Sequence, residues 1–374
     1  MGTESSVATV AKPGPPPNRT DKASQAVPPK RSAFPDIAKI AAIVAVVTVH
    51  VCSAPNENLG ILTGRTWFAT VGLEIVNRWC VPLFVMVSGM LLLQSRTASL
   101  SPQAFYRRRA ARVAIPLIGW TLFYRLFTEY TGPHASFEEH VQAIYEGQPY
   151  FHLYFVFLIA GLYLVCPYLA RAIEGLSQRQ LGAMTIGALS LGFLWGGVSP
   201  WLPGAGSNAF SMFAPFIGYF LAGCWLARVR LHPKVVPASA AVFLLVAAGA
   251  SLATYALGTV LEADEWRYLY NYLSPTVIIM SICVFLILRA LSERREARAP
   301  IRYIGALHYV GEATFGIFLI HPIFFKLWIE RPPWVPTEGI ELAWWLPATI
   351  TGLLVVSFVC CVMLKQIPFL RRLV

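Results

Sequence analysis

Lys39 and His50 lie in one apolar run, DIAKIAAIVAVVTVHV, residues 36–51. At 100° per residue their separation amounts to about 1100°, roughly 20° past three turns, with a rise of about 16 Å, so both side chains project from one helix face. Pro35 and Asp36 suit the start of that helix, because proline needs no donor there and a carboxylate complements the dipole. An imidazole this deep in an apolar helix needs a partner or a water-filled cavity, since ionisable groups facing lipid are costly. Burial favours the neutral ring, which accepts a proton from a hydroxyl, so His50 is a candidate general base. The plain alternative is a core histidine hydrogen-bonded to a neighbouring helix.

A second group is FYRRRAARVAIPLIGW, with Arg107, Arg108, Arg109 and Arg112 at one helix end. Arg107 and Arg108 read equally well as anchors beside anionic lipid. Arg109 and Arg112, three apart, reach neighbouring faces of one turn and suit a phosphate clamp, because guanidinium groups bind phosphate in bidentate geometry. No GxxxxGK[ST] loop occurs, which argues against P-loop nucleotide hydrolysis. His152 stands beside Tyr150 and Tyr154 in YFHLYFVFLIAGLYL, and His321 precedes Pro322, expected to kink its helix, in TFGIFLIHPIFF. With Tyr124, Arg125 and Glu129, the three histidines are expected to line one outward cavity. Zinc on His50, His152 and His321 lacks the usual short ligand spacings, nothing marks a haem pocket, and Ser88 lacks a GxSxG elbow. No metal is expected.

The elements that carry these residues are membrane helices. The chain has 374 residues, 56% of them hydrophobic and only 13% charged, against roughly 25% charged in soluble domains. The fold class is therefore all-α, a polytopic membrane protein. Apolar segments near the roughly 20 residues that span a bilayer recur about ten times, at 35–54, 71–94, 110–129, 150–170, 181–199, 209–228, 235–257, 271–291, 309–329 and 342–364. Residues 1–33, rich in proline and small polar residues, read as a disordered tail; 34–365 form the membrane domain and 366–374 a short basic tail. A cleaved signal peptide is the competing reading of the first apolar run, disfavoured by the length of that run and of the tail before it.

The net charge of +11 reflects topology rather than nucleic acid. With the amino terminus inside, the tail, alternate loops and carboxyl terminus hold 24 of the 30 Lys and Arg, a positive-inside pattern that puts both termini in the cytoplasm. The outer loops collect carboxylates: Glu57, Glu74, Glu129, Glu138, Glu139, Glu146, Glu262, Asp264, Glu265, Glu330, Glu338 and Glu341. Seven scattered cysteines without CxxC spacing read as small core hydrophobes.

Five stretches in order resemble the membrane-bound acyltransferase 3 family, the O-acyltransferases of bacterial surface polysaccharides and related glycans. DIAKIAAIVAVVTVH is similar to its first helix, a basic residue followed after ten residues by histidine; RAAR, Arg109 to Arg112, to its RxxR motif; PLFVMVSGMLL to its second helix; FHLYFVFLIAGLYLVCPYL to its fourth; and ATFGIFLIHPIF to its late helix. Lys39 stands where many relatives have arginine. The resemblance implies acyl-CoA, acetyl-CoA above all, as cytoplasmic cosubstrate without a bound cofactor, and a glycan hydroxyl as acceptor. It further implies residence in a bacterial inner membrane, with polysaccharide synthesis or export proteins as partners. Donor binding falls to Arg109, Arg112 and Lys39, and proton abstraction to His50. For Lys39, anchoring to lipid phosphate and pairing with Asp36 stand as equal alternatives. His152, His321, Glu129, Tyr154 and Asp36 are supporting or acceptor-site candidates. No SGNH-type segment is seen, so the membrane domain alone or a partner is expected to complete transfer. The rival reading is a polytopic transporter or export protein whose buried histidines relay protons.

Overall fold

The computed structural model describes residue 2 and residues 32–56, 64–202, 207–260, 268–298, 302–329 and 339–374. The amino-terminal tail and the carboxylates Glu57, Glu262, Asp264, Glu265, Glu330 and Glu338 lie outside these residues, and Ala33–Val374 make one compact unit.

The described residues form helices and no strand. Helix α1 (Phe34–Asn56) starts beside Pro35 with Asp36 in its first turn. Helices α2 (Gly64–Asn77) and α3 (Cys80–Leu92) make one apolar span, Thr70–Leu92, interrupted at Arg78 and Trp79. The cause is local: Pro82 has no N–H to offer the Arg78 carbonyl, so the ladder fails there.

After the single turn α4 (Ser95–Ala98) comes α5 (Pro102–Thr131), capped by the Ser101 hydroxyl, which accepts from the Ala104 N–H at 3.2 Å. Helix α5 bends by 50° between its arms Pro102–Arg109 and Ala111–Thr131. The short α6 (Phe137–Tyr145) begins with a capping box of Ser136 and Glu139, and α8 (Gln178–Val198), after α7 (Tyr154–Ala172), with one of Ser177 and Gln180. The chain continues through α9 (Ile217–Arg228), α10 (Val235–Tyr255), α11 (Pro275–Arg298), α12 (Ile304–Ile329) and α13 (Gly339–Gln366).

Among the described residues, eight helices are long and apolar enough to cross a membrane, nine if the bent α5 counts as one span. About ten were expected, and one of those segments is shorter than a span. The segment expected at 209–228 is helical as α9 only over Ile217–Arg228; at 1.5 Å per residue this is about 18 Å, short of the roughly 30 Å hydrocarbon core. Instead α9 is wrapped by neighbours. A methyl group on Gly223 would strike the Met86 carbonyl of α3, and one on Gly89 the Phe220 carbonyl of α9, so the two backbones are locked in direct apposition. Helix α12 carries Pro322 inside one continuous element, Ile304–Ile329. The Phe318 carbonyl, which Pro322 cannot serve, lies beside the His321 ring.

Helix α1 packs against α2, α3, α11, α12 and α13, which places both Lys39 and His50 inside the bundle. All seven cysteines are free thiols, and six are buried.

Candidate functional site

At the basic end of α1, Lys39 Nζ meets Asp36 Oδ1 at 2.7 Å. Asp36 is only 3% exposed, and its other oxygen lies 3.2 Å from His308 Nδ1, whose Nε2 is 2.9 Å from Glu312. Gly311 permits this approach, since a methyl group there would collide with the Asp36 carboxylate. The pairing with Asp36 leaves Lys39 on the wall of a groove of ≈ 250 Å³. Arg112 from α5, Ser88 and Phe84 from α3, Tyr163 and Phe155 from α7, and Thr314 and Phe318 from α12 complete that wall. Arg109 lies beside Tyr163 and Cys166, next to the groove rather than on its lining.

The three histidines converge. The His50 and His321 rings stack at 5.4 Å between centroids, and His152 meets His321 edge-on at 5.8 Å. Three different elements deliver them: the outer part of α1, the turn before α7, and α12. Aromatic rings pack round them, with Tyr124 at 4.8 Å from His152, Phe318 at 5.2 Å from His152 and Phe151 at 4.9 Å from His50. His321 Nδ1 lies 3.1 Å from the Ile317 carbonyl. A carbonyl only accepts, so Nδ1 carries the proton and Nε2 keeps a lone pair; that Nε2 is buried without a partner. Neither ring nitrogen of His152 is hydrogen-bonded. The neighbouring Leu319 carbonyl already accepts from the Tyr124 hydroxyl at 2.6 Å.

Instead of the expected open outward cavity, His50, His152, Tyr154, Tyr272, Cys80 and Phe318 enclose a pocket with ≈ 10 Å³ open to a water-sized sphere, room for about one water. Phe318 lines this pocket and the large groove alike. Its ring, packed on Phe155 at 5.1 Å, therefore stands at the boundary between the Lys39 end and the His50 end.

Glu129 is not on this lining. Its carboxylate accepts from the Ala135 N–H at 2.9 Å and lies 3.1 Å from both His134 and His140, while Arg125 Nε donates to His140 Nδ1 at 2.6 Å. These residues tie the end of α5 to the loop and helix α6, and of the expected α5 trio only Tyr124 packs against one of the three converging histidines. Among the described residues no group of three or more His, Cys, Asp or Glu is arranged to hold a metal ion.

Three residues escape a reading of spacing. His308 and Glu312 come from α12 to complete the Asp36 network, across a separation in sequence that no short motif records. Arg78, an outer-side cation by charge count, sits in the α2–α3 break, paired with Glu74 and close enough to act electrostatically on His50. The lone arginine of EIVNRWCVPLF, four residues before a proline, was the available signal.

A family model described as an acyltransferase domain, acyltransferase 3, matches residues 32–365. No curated protein and no solved structure matches the chain.

Proposed function

Since the chain belongs to the acyltransferase 3 family and is a multi-pass membrane acyltransferase, we propose that it carries an acyl group, most simply acetyl, from cytoplasmic acyl-CoA to a hydroxyl of a surface or exported polysaccharide. One observation carries this reading: a single groove runs from Lys39 and Arg112 to Phe318, the residue that also walls the His50 pocket. The basic end, cytoplasmic by the positive-inside rule if the protein resides in a bacterial inner membrane as its family resemblance implies, suits the CoA phosphates. Arg112 and Lys39 hold them, with Arg109 alongside, and the pantetheine arm lies along the apolar floor with its thioester at Phe318.

His50 takes the proton of the acceptor hydroxyl as its oxygen bonds to the thioester carbon. The carbonyl electron pair moves onto oxygen. Collapse of that oxyanion breaks the C–S bond, and the departing thiolate takes the proton from the imidazolium, so the ester and free CoA are the products. His152 and His321 hold the acceptor end. Tyr154 stands on the same pocket, Asp36 sets Lys39, and Glu129 orders the outer rim. A pocket with room for about one water favours transfer over hydrolysis. Phe151, 43% exposed and in contact with His50, supports a short path from the outer face for the glycan or its synthesis and export partners.

The test is purified protein in detergent with acetyl-CoA and a panel of glycans, following free thiol and product mass. Transfer that disappears in His50→Ala supports the reading, with an expected loss of about 10²–10⁴-fold. Equal rates in wild type and His50→Ala sink the general-base role. Proton-linked solute uptake into proteoliposomes without any acyl-donor binding points to a transporter instead.

A further inference from the structure

Arg78 is a buried cation with no part in the proton and phosphate chemistry above. The α2–α3 break turns it toward the side of the bundle where His50 lies. Glu74, one turn earlier, forms an ion pair with it, which makes a charge tolerable inside the span. Its guanidinium carbon sits 4.6 Å over the Tyr270 ring and 5.5 Å from that of Tyr272, and its Nε is buried without a hydrogen-bond partner. The Tyr272 phenol lies within electrostatic reach of the Arg78 guanidinium and shares a pocket lining with Tyr154. The Tyr219 hydroxyl donates to the Tyr272 backbone carbonyl at 2.6 Å and so fixes that turn. Both Tyr154 and Tyr272 line the pocket that contains His50.

An arrangement that begins at a cation and ends at phenol hydroxyls beside a base is suited to a developing negative charge. We infer that the Tyr272 hydroxyl, supported by Tyr154, donates to the oxyanion formed on the thioester carbonyl, and that Arg78 is the positioning residue that polarises Tyr272. This rests on the acyl-transfer reading above. Donors held in place in a dry site act on the charged transition state more strongly than on the neutral ground state, and need no rearrangement when the charge appears. The step adds nothing to the balance already written: the carbonyl oxygen gains the electron pair while the phenols keep their protons, and the pair returns as the C–S bond breaks. Neutralisation of Arg78 by Glu74 matters here, because an unpaired cation beside His50 would oppose formation of the imidazolium.

The experiment uses the full-length protein with acetyl-CoA and whichever glycan wild type acylates. Tyr272→Phe keeps the ring and its stacking with Arg78 and removes only the hydroxyl. The expected result is a fall in kcat of about 10²–10³-fold, with KM for acetyl-CoA within about twofold and an unchanged melting temperature. Tyr154→Phe is expected to lose about tenfold. The double variant Glu74→Gln/Arg78→Gln, which leaves no unpaired buried charge, is expected to match Tyr272→Phe and to regain part of its rate with added guanidinium. A merely structural Arg78 would show neither the rescue nor the separation of kcat from KM. If wild type is active and His50→Ala is dead, yet Tyr272→Phe/Tyr154→Phe turns over within threefold of wild type, this inference is overturned alone. If folded wild type transfers no acyl group, the acyl-transfer reading fails and the role of Tyr272 falls with it.

Discussion

Replacing Phe318 by alanine removes the wall shared by the groove and the His50 pocket. Phe318 is 3% exposed and packs on Phe155, His152 and His321 with centroids 5.1, 5.2 and 6.1 Å away, so nearly the whole phenyl ring is lost from a filled space. A truncation of this kind costs about 3–5 kcal/mol. Phe318→Leu, which keeps most of the volume, is expected to lose far less. The functional consequence is larger than the energetic one, because a pocket with ≈ 10 Å³ open to water then joins a groove of ≈ 250 Å³. Water gains access to the thioester beside His50. Hydrolysis relative to transfer is expected to rise about tenfold, equivalent to about 1.4 kcal/mol of lost discrimination. The assay measures free thiol and acylated glycan in the same reaction at a temperature where the variant stays folded, with Phe318→Leu as control. An unchanged ratio of hydrolysis to transfer in folded Phe318→Ala would refute the idea that this ring separates water from the thioester.

Arg112→Ala and Lys39→Ala are each expected to raise KM for acyl-CoA about 10–100-fold with little change in kcat, in line with the loss of one charged hydrogen bond. Acyl-pantetheine, which lacks the nucleotide phosphates, should not distinguish them from wild type, and a discrimination that persists would place their action elsewhere. Gly223→Ala pushes a methyl group into the Met86 carbonyl, so it is expected to cost about 1–3 kcal/mol or more in thermal unfolding. Gly187→Ala, with open space around it, should be neutral or stabilising, and equal melting temperatures for the two would count against the α3–α9 lock. The Glu139 carboxyl is held below its usual range by the Ser136 backbone N–H, which donates at 2.6 Å. A lowered value means that its support for α6 is present above the ordinary glutamate range and is lost as pH falls through the folded value. Protection factors over residues 137–145, taken relative to the intrinsic exchange rate at each pH, should therefore fall on acidification in wild type and fall less in Glu139→Gln, where the Glu129–His140 contact still titrates.

What the sequence determines by itself is whatever depends on period, length and composition. Helicity and membrane residence follow from apolar runs near bilayer length, and the shared face of Lys39 and His50 follows from the helical repeat. The start of α1 at Pro35 and Asp36, and the RAAR spacing at the head of α5, are legible for the same reason. Motif order over most of the chain is enough to identify the family. Only the tertiary structure decides which faces meet. It stacks His321 on His50, brings His308 and Glu312 to Asp36, and puts Phe318 between two cavities, because these pairings depend on how α1, α7 and α12 pack. Helix α9 starts directly after the 3-10 turn Ala214–Phe216 at Pro215, while its placement inside the bundle, backbone against backbone with α3, is a tertiary outcome. Arg78 shows the boundary most clearly: Pro82 marks in sequence where the helix must break, while the packing of the broken ends determines that the arginine there turns toward Tyr272 and the His50 pocket instead of toward water.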